Sequence, residues 1–509
     1  MNLYKTAAAV TFFSAFEHCL GFLYRIILSR TLGPEGLGVY QVALTVFAVF
    51  ITISSSGLPI TLSRVISKHR ANDYRAGADS ATTAAILIAL MFSVPITVLL
   101  FLIRTPFSKI FSDPRCADLF YILLFGLSFT SVYSVIRGAF WGNRRFFAYS
   151  LVELVEEIVM IATGVILIVG VGFGIADVNK AAIAVLVSHL FSFALAVFYF
   201  MLKGGKLRSP RGEFMPLLKS SMPVTTMRAS SSLVSSLISV IFPMRLMATG
   251  VSSSRAMSAY GVVYGMVMPV ILIPASFIGS IALVLVPELS ETYYKGAREK
   301  VIALITKALS TTLLIACALV PFFIACGEGV GVLLYGSAES GALISKSALI
   351  LIPMSLTMIV TSLLNSMNCE KQTLLFFLLG SAAMLVCVWI FPARLGSGAL
   401  LLGMACDYLL TTVCSLILLR KKAGKLPLGK HLLRLLLMTV PATMAGLLVR
   451  ALALKVVSYL VALLFTALAV ALVEFFLMWL LKLLDFRALF KKFFSRKKVR
   501  TARRKRVAA

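Results

Sequence analysis

Apolar runs of about twenty residues recur from one end of the chain to the other, separated by short polar connections. A helix rises 1.5 Å per residue, so about 20 apolar residues cross a hydrocarbon core of ~30 Å. No water satisfies backbone groups at that depth, so each run must be helical. The pattern predicts an all-α integral membrane protein with fourteen spans. They fall at roughly 7–31, 36–56, 80–104, 118–140, 148–172, 181–202, 217–247, 257–286, 299–325, 342–366, 371–391, 397–419, 432–453 and 457–482. The run at 217–247 is longer than one crossing needs, which predicts a tilted or bent helix with Pro223 as a kink. Gly57 and Pro59 in "ISSSGLPITLSR" predict a break after the second span, and Pro269 with Pro274 another within the eighth.

Composition agrees with the pattern. Of 509 residues, 60% are hydrophobic and 14% charged, with a mean hydropathy of +0.98. The net charge of +29 raises the question of nucleic acid. The basic residues sit between apolar runs and in the last stretch of chain, which excludes that class. Counted by connection, 33 lysines and arginines fall on the N-terminal side and nine on the other. The positive-inside rule then expects both termini in the cytoplasm and an even number of spans. The tail "FRALFKKFFSRKKVRTARRKR" alternates phenylalanine with basic residues, a pattern that suits anionic membrane lipid. Lys5 and the apolar run after it superficially resemble a signal peptide, but Glu17, His18 and Arg25 interrupt the run, so a retained first helix is expected. Eight cysteines form neither a CxxC pair nor a metal-ligand cluster and read as small core residues. No metal or cofactor is expected.

A faint repeat divides the chain. Arg25 stands 220 positions before Arg245, and Tyr40 stands 220 before Tyr260. "SVIRGAFWGN" and "SLLNSMNCEK" end two spans at a similar displacement. The expected organisation is an N-lobe over 1–202, a cytoplasmic linker over 203–216 and a C-lobe over 217–420. Two further helices over 421–482 and a basic tail over 483–509 complete it. Transporters build central sites between such halves and alternate access to them.

Ionisable side chains at membrane depth cost several kcal/mol and face a cavity or each other. Glu17 and His18 fall near the middle of the first span, with Arg25 seven residues after His18 on the same face. Arg228 lies within the seventh span and Asp407 near the middle of the twelfth. Glu153, Glu156 and Glu157 form an i, i+3, i+4 cluster in the fifth. His189 and Glu474 read as local packing features, and at least one of the three glutamates as facing cytoplasmic water. Arg30 and Arg64, near helix ends, can snorkel to headgroups. A guanidinium offers a permanent charge and a planar donor fork for phosphate oxygens. Arg25, Arg228, Arg245, Arg64 and His18 are therefore the candidate diphosphate-binding residues. Glu17, Glu153, Glu156, Glu157 and Asp407 are the candidates for coupling to an ion, with proton and sodium both open.

"GFLYRIILSRTLGPEGLGVYQVAL", "SSSGLPITLSRVISKHR", "IRGAFWGN" and "YGVVYGMVMPVILIPASFIGSIALVLVPELSE" together resemble polysaccharide-biosynthesis transporters of the MATE-like exporter superfamily. The nearest branch is the stage V sporulation protein B type. The resemblance covers most of residues 7–370; the last four spans match only in hydropathy. It implies a two-lobed, V-shaped bundle of fourteen helices in a bacterial cytoplasmic membrane. It also implies flipping of an undecaprenyl-diphosphate-linked saccharide, such as a peptidoglycan or spore-cortex precursor, with a cell-wall polymerase as a conceivable partner. Lipid II flippases resemble the chain around Leu20–Phe22 but carry arginine where this sequence has His18 and Tyr24. Their phosphate-binding pattern therefore does not carry over residue by residue, and Arg25 stands one position away.

Two other functions compete. A multidrug antiporter of the same superfamily would be expected to have an acidic, aromatic site, which Arg25 and Arg228 disfavour. A membrane glycosyltransferase or polymerase needs acid–base residues at a donor site, usually on a large outer loop. The outer connections here are short, so the chain is expected not to be an enzyme. Sequence alone leaves the saccharide, the coupling ion and the oligomeric state open.

Overall fold

The computed structural model describes residues 3–170, 176–210, 212–424, 426–427 and 429–483, and all regular structure among them is helical. The basic tail from 484 onward, with its expected lipid contact, lies outside the described residues. In chain order the helices begin with α1 (Leu3–Ser55), α2 (Leu58–Ala71), α3 (Arg75–Leu102) and α4 (Arg104–Ser108). Then come α5 (Pro114–Leu124), α6 (Leu127–Gly142), α7 (Phe146–Val165), α8 (Asp177–Leu202), α9 (Phe214–Met247) and α10 (Ser253–Tyr260). Next are α11 (Met268–Ile271), α12 (Ile273–Tyr294), α13 (Arg298–Tyr335), α14 (Ala338–Ser347) and α15 (Leu351–Ser366). The chain continues through α16 (Glu370–Ile390), α17 (Pro392–Leu395), α18 (Gly398–Ala423), α19 (Gly429–Ala453) and α20 (Tyr459–Leu480). Ile166–Gly170 and Gly261–Val267 wind as π-helix.

Among the described residues, eleven helices are long and apolar enough to cross a membrane, or twelve if α5 and α6, bent by 52°, form one span. The fourteen predicted windows nevertheless fall almost entirely on helix. Phe12–Ala71 runs on as a single 60-residue apolar stretch, about 90 Å long at 1.5 Å per residue. The connection expected between the first two spans is a kink, in which only Gly33 departs from helical geometry, at φ 68° and ψ 178°. That backbone region is open essentially to glycine alone. Pro34 follows it and restarts the helix, a position where its missing N–H costs nothing. The other breaks lie where Gly and Pro predict them. Gly57 is the N-cap of α2, with Pro59 in its first turn, and Leu272 is the N-cap of α12, with Pro274 in its first turn.

The chain packs as two compact units, Met1–Pro269 with Ser381–Gly403, and Val270–Gly380 with Met404–Ala509. In the first, Leu62 and Ile66 of α2, Ala85 and Ile88 of α3, and Val135 and Phe140 of α6 interlock with Ala196 of α8. Water does not drive helices together at membrane depth, so close backbone approach matters more than apolar area. Gly38 of α1 and Gly261 meet the other strand's backbone at the Met257 and Pro34 carbonyls, leaving no room for a Cβ. Hydroxyls on α1 and α9 bond back to the preceding turn, as Thr45 does to the Gln41 carbonyl at 2.7 Å and Thr226 to Met222 at 2.9 Å. These bonds let polar residues sit in apolar helices.

Two polar clusters pin connections of this unit. The linker between α8 and α9 lies on the end of α2 and the first part of α3. Arg208 donates its backbone N–H to Thr83 Oγ1 at 3.0 Å, and His69 Nε2 meets Glu213 Oε1 at 2.8 Å. At the α1 kink, Arg115 pairs with Glu35 and also with Asp113 at 2.8 Å. Ser254 donates to Glu35 at 2.6 Å, and Ser253 to Asp113 at 2.8 Å. The Ser254 hydrogen bond and the Arg115 guanidinium hold Glu35 below the usual carboxylate range. Burial pushes Asp113 up, but hydrogen bonds from Arg115 and Ser253 outweigh it and leave the carboxyl lowered.

In the second unit, Ile305 and Leu309 of α13 pack with Ile359 and Leu363 of α15 and Leu419 of α18. α19 and α20 close on α13 where Gly446 fits between Ala325 and Val470. Arg450 pairs with Glu328 and donates to the Ala325 carbonyl at 3.2 Å.

A charged cluster at membrane depth

The sequence places three carboxylates on one face of α7 because residues three and four apart share a helical face. α1, α6 and α8 surround that face within the first unit. Arg137 of α6 reaches Glu153 at 3.1 Å and stacks over the Trp141 ring at 5.4 Å. His189 of α8 faces Glu156, with Nε2 to Oε1 at 3.8 Å. Glu157 approaches α1 at Gly21, where an added Cβ would stand 3.0 Å from its Oε1. Glu17 lies within electrostatic reach of Glu153 and Glu157, and Arg25 within reach of Glu157. Tyrosines complete the wall. Tyr149 donates to Glu153. Tyr24 is 2% exposed and Tyr133 5%, and neither hydroxyl has a hydrogen-bond partner among the described residues. Gly164 has no Cβ to collide with the Tyr24 hydroxyl, which lets the ring lie flat against α7.

The expected site residues thus divide. Glu17, Arg25, Glu153, Glu156 and Glu157 come together, and all three α7 glutamates are at least half-buried rather than one of them facing water. His189, expected to be a packing feature, stands against Glu156. His18 is exposed on α1, and Arg64 on α2. Arg228 is exposed on α9, three residues from Thr225 and seven from Ser221. Both of those line an apolar groove of 330 Å³ bounded also by Leu58, Ile88, Phe92 and Leu233. Arg245 is engaged elsewhere, its Nε donating to the Trp389 carbonyl at 3.1 Å and its guanidinium 4.4 Å from the Trp389 ring. Asp407, in the second unit, accepts from Thr411 at 3.3 Å and sits against Gly380. Glu474 of the same unit is 7% exposed, with Oε1 unpartnered among the described residues.

Arg137 was not among the candidates. It falls inside the quoted "IRGAFWGN", four residues from both Tyr133 and Trp141, and an arginine within an apolar span carries the same signal as Arg25. Among the described residues no group of His, Cys, Asp and Glu is arranged to hold a metal ion. Arg25 and Arg228 lie outside any ion pair among the described residues.

Stage V sporulation protein B of Bacillus subtilis (strain 168) is 25% identical over 349 residues, 65% of this chain and 66% of that protein, just under two thirds of its length. Lipid II flippase MurJ of the same organism is 21% identical over 457 residues, 83% of each chain. Among solved structures, lipid II flippase MurJ in an inward closed conformation superposes with a TM-score of 0.73 at 14% identity, covering 92% of this chain and 99% of that one. An inward-facing multidrug resistance MATE family transporter superposes with a TM-score of 0.69 at 17% identity, covering 80% and 94%. At these identities the structures show a shared fold. The profile of a family described as polysaccharide biosynthesis protein matches residues 4–293, more than half of the chain. This all-helical, multi-pass membrane chain belongs to the polysaccharide biosynthesis protein family.

Proposed function

We propose that the chain is a flippase that carries an undecaprenyl-diphosphate-linked saccharide across the membrane by alternating access between two lobes. The observation that carries this reading is the pair Arg25 and Arg228, exposed guanidiniums on apolar helices that make no salt bridge among the described residues, Arg25 having Glu157 only within electrostatic reach. A cation exposed to lipid is costly unless it meets an anion. A diphosphate supplies one, and it matches the donor fork of arginine. The apolar groove beside Arg228 gives a prenyl chain an oily wall while the headgroup is held. Relatives named for sporulation and for lipid II flipping support a cell-wall or spore-cortex precursor as the saccharide. The cytoplasmic membrane, with both termini on its inner side, is the matching setting.

The test is reconstitution in vesicles with a fluorescent polyprenyl-diphosphate saccharide. Arg25→Ala and Arg228→Ala are each expected to fold and to slow translocation by about tenfold or more, as loss of a charge-assisted bond worth ~1.5–3 kcal/mol implies. Wild-type rates from both variants would remove the diphosphate role. A second reading, a multidrug antiporter, draws on the MATE-type fold. It predicts efflux of organic cations, which exposed arginines would repel. Sugar transfer catalysed by the purified chain would instead promote the glycosyltransferase alternative.

A further inference from the structure

The cluster in the first unit does not balance its own charge. Glu17, Glu153, Glu156 and Glu157 face two permanent cations, Arg25 and Arg137, so two negative charges remain if His189 is neutral. Arg137 is committed to Glu153, and Arg25 is the cation nearest Glu157. Glu156 has the Ser192 hydroxyl but no cation of its own: His189 stands at 3.8 Å, too long for a hydrogen bond, and the other ring nitrogen of His189 has no partner among the described residues. Glu156 faces Glu153 and Glu157 of its own helix, Tyr133 and Arg137 of α6, and Ser192 and His189 of α8. Glu17, Tyr24, Arg25 and Tyr40 of α1 lie within reach of Glu157, and Tyr149 within reach of Glu153. Independently of the acids, Tyr24 and Tyr133 are more than nine-tenths buried and lie within electrostatic reach of Glu157 and of Glu156 with Glu153, and their hydroxyls bond to nothing described. Buried hydroxyls without partners are rare and call for an unseen one.

We propose that this cluster is a proton-binding site, with Glu156 and His189 exchanging the mobile proton and Arg137 acting as its fixed internal cation. A proton suits the site better than sodium. A metal ion needs several oxygens converging at one distance, whereas these carboxylates are already divided among a guanidinium, an imidazole and α1. Protonation makes Glu156 a donor as well as an acceptor, so it can bond to His189 or to the Tyr133 hydroxyl. No atom is gained or lost beyond the proton itself. Coupling of that proton to movement of a lipid-linked saccharide rests on the flippase reading; binding of the proton does not.

Two measurements separate these layers. Infrared difference spectra of the purified full-length chain, titrated from about pH 5 to about pH 9, should show a carboxylic-acid carbonyl band that disappears on alkalinisation. Glu156→Gln should lose that band, His189→Gln should move its midpoint, and the exposed Glu291→Gln should leave it in place. Circular dichroism melting checks that each variant is folded, and Glu156→Asp should retain a shifted band. A band unaltered in Glu156→Gln, or one that responds to sodium chloride and not to pH, overturns the proton site. In vesicles, the accumulation of fluorescent polyprenyl-diphosphate saccharide should change about tenfold per imposed pH unit for each coupled proton. Translocation indifferent to the gradient overturns coupling and leaves the flippase reading intact. An intact band without translocation of any such lipid overturns the flippase reading and leaves the proton site.

Discussion

Arg137 is bonded to Glu153 and stacked on Trp141. Removing one member of a buried pair strands the other. Arg137→Gln is therefore expected to cost about 2–4 kcal/mol, seen as a lower melting temperature in detergent, and Arg137→Gln with Glu153→Gln should recover part of it. Equal melting of the single variant and the wild type would mean the pair is solvated. At this scale the acids were legible in the sequence, because a carboxylate inside an apolar run has few places to be. Arg137 was not, because it stands three residues from the predicted end of its span, where an arginine can reach the headgroups. The two orphaned phenols were not legible either. Tyrosine is at home in an apolar run, and only the packing tells whether its hydroxyl has found a partner.

Among the elements, the breaks at Gly57 and Leu272 follow from the Gly and Pro residues around them. The kink at Gly33 does not, since "TLGPEG" reads equally well as a loop. Three-dimensional contact decides it, because α10 packs against the helix just beyond the kink and keeps it wound. The same neighbourhood holds Glu35, the Asp113–Arg115 pair and Ser253 with Ser254, drawn from three separate parts of the chain. Both carboxyls titrate below their ordinary range in the folded chain. Their contribution is thus complete above an unfolded value of about 4 and is lost as pH falls through the lowered ones. Amide-exchange protection around residues 33–36, 112–116 and 252–255 should accordingly fall below about pH 4 while α13 keeps its own. Protection in those connections that ignores acid would show the cluster to be incidental.

For the whole molecule, an all-helical membrane protein was readable from hydropathy alone, but the number of crossings depends on how continuous helices are divided. α1 joins two predicted spans without a loop, and the three glutamates of α7 lower its apolar character. The expected division at 203–216 follows the sequence repeat. Packing draws its boundary after Pro269, because glycine contacts bind α10 to α1. The charge asymmetry of the connections expects both ends of the chain on one side. A fluorescent protein fused to either terminus should light up, and alkaline phosphatase at either should stay inactive; a split result would refute an even number of crossings. One further property follows from how the thiols are distributed. Of the eight cysteines, seven are buried or half-buried, and Cys19 alone is exposed, beside His18 on α1. The chain therefore carries a native reporter of wetness at that spot: a membrane-impermeant maleimide, which needs a hydrated thiolate, would modify Cys19 quickly if water bathes this face of α1 and slowly if acyl chains cover it.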